Sequence, residues 1–377
     1  MTLTHSTDQV SQLSEMIENL PNTSMSALYS ETHLAEKGIG CIASKDIKKG
    51  SLVLRESPQL LIPEQDNPTF KGSVQHAENV VKTFMGMSKE DQESYLKLQN
   101  KFNVNGKAWS EGLKREFEAK MVVMSKLTIS RMSKEKAFEV WAIHSTNGFH
   151  NGVCLKMSRF NHSCRPNAQY FWNDDTDTRD LRSLRKIKPG EEITVSYIYA
   201  VQLREKRRSD LRERYNFDCQ CEGCDLTEAQ ALQEFKIIEA YKEEELKQES
   251  LKYSTTISLE TELPDRALGL IKEKALSLKR MYRLAKNIKT FGRRSLLVDI
   301  VDEAFNVSCE GAKLEEEYRN REGVKRAWIK DAKMFATIGC EIAKTLNGAD
   351  NSWTQQWNER AADPMKFILK MHFQSLL

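Results

Sequence analysis

The 377-residue chain lacks the features of membrane, secreted and strongly basic proteins. No apolar run approaches the roughly 18 residues that a membrane-spanning helix needs, so we expect no transmembrane segment. Residues 1–8 have no basic cluster and no apolar core, so we expect no secretory signal and a location in the nucleus, the cytoplasm or both. The 57 basic and 54 acidic side chains leave a net charge of +3, which is too small to indicate nucleic-acid binding by itself.

A disulfide framework is also not expected, because thiols stay reduced in these compartments. The chain has eight cysteines, so their spacing is the informative feature. Four of them stand alone in apolar or helical contexts, where a cysteine behaves as a small buried hydrophobic residue: Cys41, Cys154, Cys309 and Cys340.

Three cysteines follow one another closely, at Cys219, Cys221 and Cys224. This short spacing lets successive thiolates converge on one metal ion. Zinc in structural sites takes four protein ligands, usually thiolates, at about 2.3 Å. A fourth ligand must therefore come from elsewhere, and Cys164 is the best candidate, with His162 as the competing ligand.

These cysteines have two alternative roles that the sequence leaves open. The three clustered thiols could be unpaired at the surface, although exposed vicinal thiols invite oxidation. Cys164 could be a papain-like nucleophile, although no local family signature supports that role.

Strand patterns occur in two stretches that lie far apart in the chain. Residues 29–56 contain a turn at 47–50, and a second copy of that turn at 187–190 precedes an apolar stretch at 193–197. The second turn has Pro then Gly at its centre, as in a type II turn, where Pro fixes φ and Gly supplies a positive φ. We expect two β-hairpins and one sheet assembled from distant segments.

A further pair of strands is predicted at residues 168–172 and 181–185. The acidic residues 173–180 between them lack the glycine and terminal glutamate of a calcium loop, so we interpret them as a solvated hairpin tip.

Helical patterns fill most of the remaining chain. Residues 64–145 have a charged, helical pattern, and a short leading helix is predicted before Pro21. Residues 200–215 form a basic helix whose interleaved acidic residues favour a solvated face over a nucleic-acid patch. Beyond residue 225 two apolar stripes at helical spacing, 297–305 and 328–346, indicate core-facing helices.

Four motifs in order make the chain similar to SET-domain protein lysine methyltransferases. They are residues 37–40 (KGIG), 161–167 (NHSCRPN), 190–197 (GEEITVSY) and the cysteine cluster at 219–224. The resemblance covers residues 28–225 and is greatest to the SET-and-MYND group, although no MYND zinc finger interrupts the segment. The partner recognition that this finger supplies is therefore not carried over.

The resemblance implies an α+β fold with a SET-type β-sheet domain, a helical insert, a zinc-bound post-SET segment and an all-α C-terminal domain. The expected boundaries are an N-terminal segment at 1–27, the two parts of the SET domain at 28–63 and 146–200, the insert at 64–145, the post-SET helix and zinc knuckle at 201–225, and the helical C-terminal domain at 226–377.

The resemblance also implies S-adenosylmethionine as cofactor and structural zinc held by Cys164 with the clustered cysteines. The residues expected to contact the cofactor are Lys37, Gly38, Gly40, Asn147, Asn161, His162, Tyr197 and Phe217. Within this set Phe217 would cover the adenine. Two simpler roles stay open, namely that Asn161 is a turn residue and that Phe217 packs beside the zinc site.

Methyl transfer to lysine needs the neutral amine, whereas free lysine has a pKa near 10.4. An apolar channel beside a positive sulfur lowers that pKa, so a general base is not compulsory. By resemblance Tyr197 would orient the amine, with Phe149 and Tyr199 as walls of the channel. Tyr170 matches a position at which some SET enzymes set the number of methyl groups, and it would favour monomethylation, unless it is simply a core residue.

We expect a protein-lysine N-methyltransferase that acts as a monomer on a protein substrate, histone or other, without membrane or direct nucleic-acid contact. A catalytically weak SET-like scaffold that binds partners through its helical C-terminal domain is the main alternative. A zinc-dependent nucleic-acid binder is a poorer one, because the basic helix has no interleaved aromatic residues.

Overall fold

The computed structural model describes residues 28–62, 70–103, 108–128, 131–149, 152–198, 201–260, 264–288 and 293–366. The leading helix predicted before Pro21 lies outside these residues, and so does Tyr199. Within the described ranges, no helix combines the length and the apolar character that crossing a bilayer requires.

Within the described residues, nine short strands form three antiparallel sheets of three strands each. The strands are β1 Tyr29–Leu34, β2 Gly38–Ala43, β3 Leu52–Glu56, β4 Leu60–Leu61, β5 Gly148–Phe149, β6 Gly152–Val153, β7 Ala168–Asn173, β8 Thr178–Ser183 and β9 Glu192–Ile193. Their orders are β1-β2-β9, β3-β8-β7 and β4-β6-β5. Every sheet therefore joins strands from before and after the helical insert, as expected, but the strands form three small sheets rather than the one sheet predicted.

The prediction of two hairpins closed by the turns at 47–50 and 187–190 is wrong. Strand β2 pairs with β9 and strand β3 pairs with β8, so each turn connects two different sheets. The two turn segments contact each other through an antiparallel bridge between Ile47 and Ile187. The expected strand at 193–197 is also shorter, because β9 ends at Ile193 and Val195 makes an isolated parallel bridge to His162.

The turn chemistry is as predicted in both copies. Gly50 and Gly190 have φ values of 80° and 79°. The N–H of Ser51 donates to the carbonyl of Lys48 at 3.1 Å, and the second turn closes with the equivalent bond at the same length. These hydrogen bonds place the four-residue turns at 48–51 and 188–191, one residue later than the predicted ranges. Glycine is then at the third position, where type II geometry has a positive φ that glycine adopts without strain.

The hairpin predicted around the acidic loop is confirmed. Strands β7 and β8 pair in register from Ala168–Ser183 to Asn173–Thr178. Strand β7 runs one residue further than predicted, and β8 lies at 178–183 instead of 181–185, so the turn itself is confined to residues 174–177.

Ten helices are described. They are α1 Phe70–Gly86, α2 Lys89–Leu96, α3 Glu111–Ser125, α4 Lys134–Asn147, α5 Arg204–Tyr215, α6 Glu228–Glu260, α7 Pro264–Asn287, α8 Arg293–Leu314, α9 Glu322–Asn347 and α10 Ser352–Ala362. Serine side chains cap the N-termini of α2, α3 and α4 by accepting backbone N–H bonds, which explains where these helices begin: Ser88, Ser110 and Ser133.

Helices α1 to α4 form the insert and share an apolar core with strands β4 and β6. The buried Tyr95 hydroxyl on α2 donates to the carbonyl of Val140 on α4 at 2.7 Å. This bond satisfies the polar end of an otherwise apolar contact and fixes the two helices against each other.

Helices α6 to α10 make the described C-terminal region helical, as expected from the apolar stripes. Residues of both stripes, such as Phe305 and Phe335, lie in one core together with the fully buried Trp357. This region packs on the β7–β8 hairpin, where Asn351 donates to the Asp175 carboxylate at 2.8 Å. The helical region therefore supports one face of the sheet from behind.

Candidate functional site

Four cysteines converge at the junction between the loop after Phe160 and the segment after α5. The sulfur atoms of Cys164, Cys219, Cys221 and Cys224 all lie within 4.8 Å of one another, and three of the four residues are buried. The sulfurs of Cys164 and Cys224 are 3.5 Å apart, and the N–H of Cys164 donates to the sulfur of Cys221 at 3.2 Å. Zinc–sulfur bonds of about 2.3 Å place tetrahedral sulfurs about 3.8 Å apart, so the four residues fit structural zinc.

His162 lies beside this cluster but is not one of its four members. Its Nδ1 accepts a hydrogen bond from the N–H of Tyr197 at 3.0 Å, so a neutral ring carries its proton on Nε2. Nε2 is 3.3 Å from the sulfur of Cys164 and can donate to it. Burial lowers the pKa of His162 to about 4, which keeps the ring neutral. Both ring nitrogens are therefore engaged, and of the two candidates for the fourth ligand the geometry favours Cys164.

A second group of contacting residues connects the strands before the helical insert with the segments after it. Its members are Lys37, Gly40, Asn161 and Glu192. Glu192 accepts hydrogen bonds from Lys37 Nζ at 2.7 Å and from Asn161 Nδ2 at 3.0 Å. Gly40 lies directly against Asn161, because a Cβ at position 40 would be 2.7 Å from Asn161 Nδ2 and 2.6 Å from Leu34. Three residues predicted to contact a cofactor are thus adjacent.

Glu192 has no role assigned to it by the sequence patterns. Its place in the motif at residues 190–197, two residues after the turn glycine, marks the residue but not the groups that it contacts. A carboxylate between Lys37 and Asn161 orients both donors, which no local pattern predicts.

Tyr197 is held at four points. Its hydroxyl donates to the carbonyl of Phe160 at 2.8 Å, and its own carbonyl accepts the hydroxyl of Tyr215 at 3.1 Å. Its N–H bonds to His162, and its ring centroid is 5.1 Å from that of Tyr215. Burial raises the pKa of Tyr197 well above its usual value, so the phenol stays neutral. Tyr215 is a further residue that the motifs did not identify.

Phe217, expected to cover an adenine, lies with its ring centroid 6.0 Å from that of His162. It also packs against the cysteine cluster. The cysteine cluster, Phe217 and His162 therefore form one continuous group.

Phe149 and Tyr170 make an edge-to-face pair with centroids 4.7 Å apart and an angle of 87°. The Tyr170 hydroxyl donates to the carbonyl of Ser196 at 3.3 Å, and burial raises the pKa of Tyr170 to about 12. Phe149, Tyr170 and Tyr197 are all partly buried against the same core. The resemblance predicts that these three residues line a lysine channel, and we call the group that they form the candidate lysine channel.

The hydrogen bonds of Asn147 do not lead to the other residues predicted to contact a cofactor. Its amide donates to the carbonyls of Gln99 and Ile143, both at 2.8 Å, at the end of α4. No described hydrogen bond joins it to Asn161 or Lys37. Its cofactor role stays a prediction, as does the wall position of Tyr199.

Several known proteins are similar to this chain in sequence. Residues 38–198 match the sequence family described as SET domain. A SET domain-containing protein of Acanthamoeba polyphaga mimivirus is 28% identical over 205 residues, which cover 52% of this chain and 76% of that protein. Histone-lysine N-methyltransferase set5 of Schizosaccharomyces pombe is 27% identical over 201 residues, covering 53% and 51% of the two chains. Histone-lysine N-methyltransferase Smyd1 of Mus musculus is 40% identical over 84 residues, covering 19% and 17%.

The chain thus spans about half the length of the fission-yeast relative and about a sixth of the mouse relative. Among solved structures, the SET domain of LSMT bound to lysine and AdoHcy matches over 90% of this chain and 94% of its own, with a TM-score of 0.34 and 13% identity. That likeness is too weak to support an argument about the site.

Proposed function

Since residues 38–198 of this chain form a SET domain, we propose that the protein is an S-adenosylmethionine-dependent protein-lysine N-methyltransferase acting on histone or non-histone lysines. The observation that supports this proposal most is the neutral, firmly held Tyr197 at the junction of the zinc site, the Asn161 group and the candidate lysine channel. The names of the fission-yeast and mouse relatives support histones as one substrate class.

S-Adenosylmethionine, when bound, supplies an electrophilic methyl group on a positively charged sulfur. The residues that would hold it are Lys37, Gly38, Gly40, Asn147, Asn161, His162, Tyr197 and Phe217. Glu192 would hold the Lys37 and Asn161 side chains in place for that contact. The absence of a side chain at Gly40 would leave room for Asn161 and for close approach of the ligand to the backbone.

Tyr197 would orient the amine of the substrate. Its single O–H is already donated to Phe160, so its oxygen presents lone pairs that can accept an N–H of a neutral amine. Accepting that N–H would point the nitrogen lone pair away from the phenol. Because the phenol stays neutral, Tyr197 would act by orientation rather than as a base.

Phe149 and Tyr170 would exclude water from the amine. Their edge-to-face contact closes one side of the candidate lysine channel, and a dry, apolar wall disfavours the ammonium form. The Tyr170 hydroxyl is held by Ser196 and would take up space that a methylated amine needs. This would favour monomethylation.

The four cysteines would hold zinc in a structural role. Zinc there would join the loop that carries Asn161 and His162 to the segment that carries Phe217. It would supply no chemistry to the methyl group, because all four of its positions would be filled by thiolates.

The test is to incubate the purified chain with radiolabelled S-adenosylmethionine, core histones and a cell lysate, and to identify modified lysines by mass spectrometry. We expect label on lysine with the wild type and with a Tyr318→Phe control, whose ring is exposed on the turn after α8. A folded chain that binds the cofactor and labels nothing would contradict the proposal and favour the scaffold alternative.

A further inference from the structure

Arg179 is a largely buried cation that forms no ion pair among the described residues. Its exposed fraction is 9%, and its Nε is buried without a hydrogen-bond partner. The guanidinium carbon lies 5.1 Å from the ring centroid of Phe149 and 5.5 Å from that of Trp172. Burying a charge without an ion-pair partner costs free energy, so a buried cation in this position suggests a functional role.

The strand position aims Arg179 at the candidate lysine channel. Its neighbour Asp180 points to the opposite face of the sheet, where it forms a bidentate ion pair with Arg55. Arg179 lies opposite Trp172 in the β7–β8 register and shares its face with Tyr170. Phe149, one of the residues of the candidate lysine channel, contacts both Arg179 and Tyr170.

The titratable groups that face Arg179 do not neutralise it. Burial raises the pKa of Cys154 and of Tyr170 to about 12, so the thiol and the phenol stay uncharged. Glu56 lies opposite in the β3–β8 register, but its carboxylate accepts two backbone N–H groups at the start of the turn Met157–Arg159. Burial lowers the pKa of Arg179, yet a guanidinium remains protonated in proteins.

We infer that the fixed positive charge of Arg179, held behind Phe149, favours the neutral amine of a target lysine over its ammonium form; this inference rests on the proposed function. A lysine that enters the channel as ammonium meets a like charge in an apolar setting, whereas the neutral amine does not. The ammonium loses its proton to water, which frees the nitrogen lone pair for methyl transfer. Phe149 keeps the guanidinium from occupying the place of the amine.

Direct recognition of an acidic residue of the substrate would be another use of such an arginine. The small exposed fraction of Arg179 and the burial of its Nε disfavour that use. An electrostatic effect on the amine needs no contact.

The test is the pH dependence of kcat with saturating peptide, which reports protonation in the enzyme–substrate complex. Arg179→Gln removes the charge, so the bound ammonium becomes less unfavourable and the midpoint of the rising limb moves up by about one pH unit. Arg179→Lys keeps a charge and should keep the wild-type midpoint. Lys186→Gln removes one charge at an exposed position that pairs with Asp46, and should also leave it unchanged.

The outcomes are distinguishable. If the wild type transfers no methyl group, the proposed function fails; if it is active and Arg179→Gln has the wild-type midpoint, this inference alone is overturned. A raised KM confined to peptides with an acidic residue, without a shifted midpoint, also overturns it. Arg179→Met should keep or raise Tm, because no ion pair among the described residues is lost. A lower Tm together with an unshifted pH profile of kcat would show that Arg179 has only a structural role.

Discussion

The backbone N–H of Tyr197 donates a 3.0 Å hydrogen bond to Nδ1 of His162. The opposite ring nitrogen of His162 lies 3.3 Å from the sulfur of Cys164. One neutral imidazole thus spans the distance between the tyrosine at the candidate lysine channel and the cysteine cluster. A substitution at Tyr197 or in the cysteine cluster is therefore expected to affect the other through His162.

Tyr197→Phe should lower kcat on the order of 100-fold, the scale that follows from loss of substrate positioning. The phenol oxygen that would accept the amine N–H is removed, while the ring stays in place between His162 and Tyr215. Methyl transfer measured with labelled cofactor checks this, with Tyr318→Phe as the matched control. Wild-type turnover in Tyr197→Phe would show that the hydroxyl has no role.

Cys164→Ser should reduce bound zinc from one ion per chain and lower Tm, because serine is a much poorer ligand than thiolate. Metal analysis after dialysis against a chelator gives the zinc content, and calorimetry gives Tm. Cys309→Ser is the control, since Cys309 is equally buried but lies on α8, away from the cluster. Equal zinc content in the Cys164 variant and the wild type would refute the four-cysteine site.

Arg207→Met should destabilise the protein by about 3–5 kcal/mol, the cost of breaking a buried ion pair. Arg207 is fully buried, although the basic helix α5 was expected to be solvated. It donates to the carbonyl of Gly223 at 2.6 Å within the cysteine segment and to Glu234 on α6 at 3.0 Å. The variant should also release zinc faster, because the cysteine segment loses its attachment to α6.

The control for that experiment is Lys206→Met, one residue earlier on the same helix. Lys206 is 62% exposed and pairs with Asp210 at the surface, so its loss should cost less than about 1 kcal/mol. Denaturant unfolding and the rate of zinc transfer to a colorimetric chelator measure the two effects. Equal unfolding free energies and equal rates of zinc transfer in the two variants would show that Arg207 does not hold the cysteine segment to α6.

Gly40→Ala should weaken S-adenosylmethionine binding at least tenfold. The new methyl group would overlap the Asn161 amide and Leu34, so Asn161 would have to move away from Glu192. Overpacking of this kind typically costs about 1–3 kcal/mol. Titration calorimetry with the cofactor measures the affinity. Gly269→Ala, on α7 with open space around it, should bind as the wild type does.

Several features could be predicted from the sequence because they depend on neighbours in the chain. Glycine at the third turn position allows the positive φ observed at Gly50 and Gly190, wherever the turn is placed. The close spacing of Cys219, Cys221 and Cys224 indicates a shared metal without knowledge of the fold. Apolar stripes with helical period likewise identified buried residues such as Phe305 and Phe335.

Other features could not be predicted because they depend on contacts between distant segments. The glycine turns can be recognised in the sequence, but the pairing of β2 with β9 cannot. Two hairpins were therefore expected, whereas each turn connects two different sheets. Glu192 and Tyr215 gained their importance from residues far away in the chain. Arg207, one of several basic residues on α5, differs from the others only in what covers it.

What the sequence determined by itself is therefore the chemistry available: four thiols suited to zinc, turns that require glycine, and a tyrosine and asparagine in motifs similar to those of SET domains. Only the tertiary structure decided which groups meet. It brought Cys164 to the other three cysteines, placed Glu192 between Lys37 and Asn161, and packed Arg179 against Phe149 without a described ion pair. The physical reason is that backbone preferences and spacing act over a few residues, whereas ion pairs, burial and metal geometry depend on distances that only the folded chain sets.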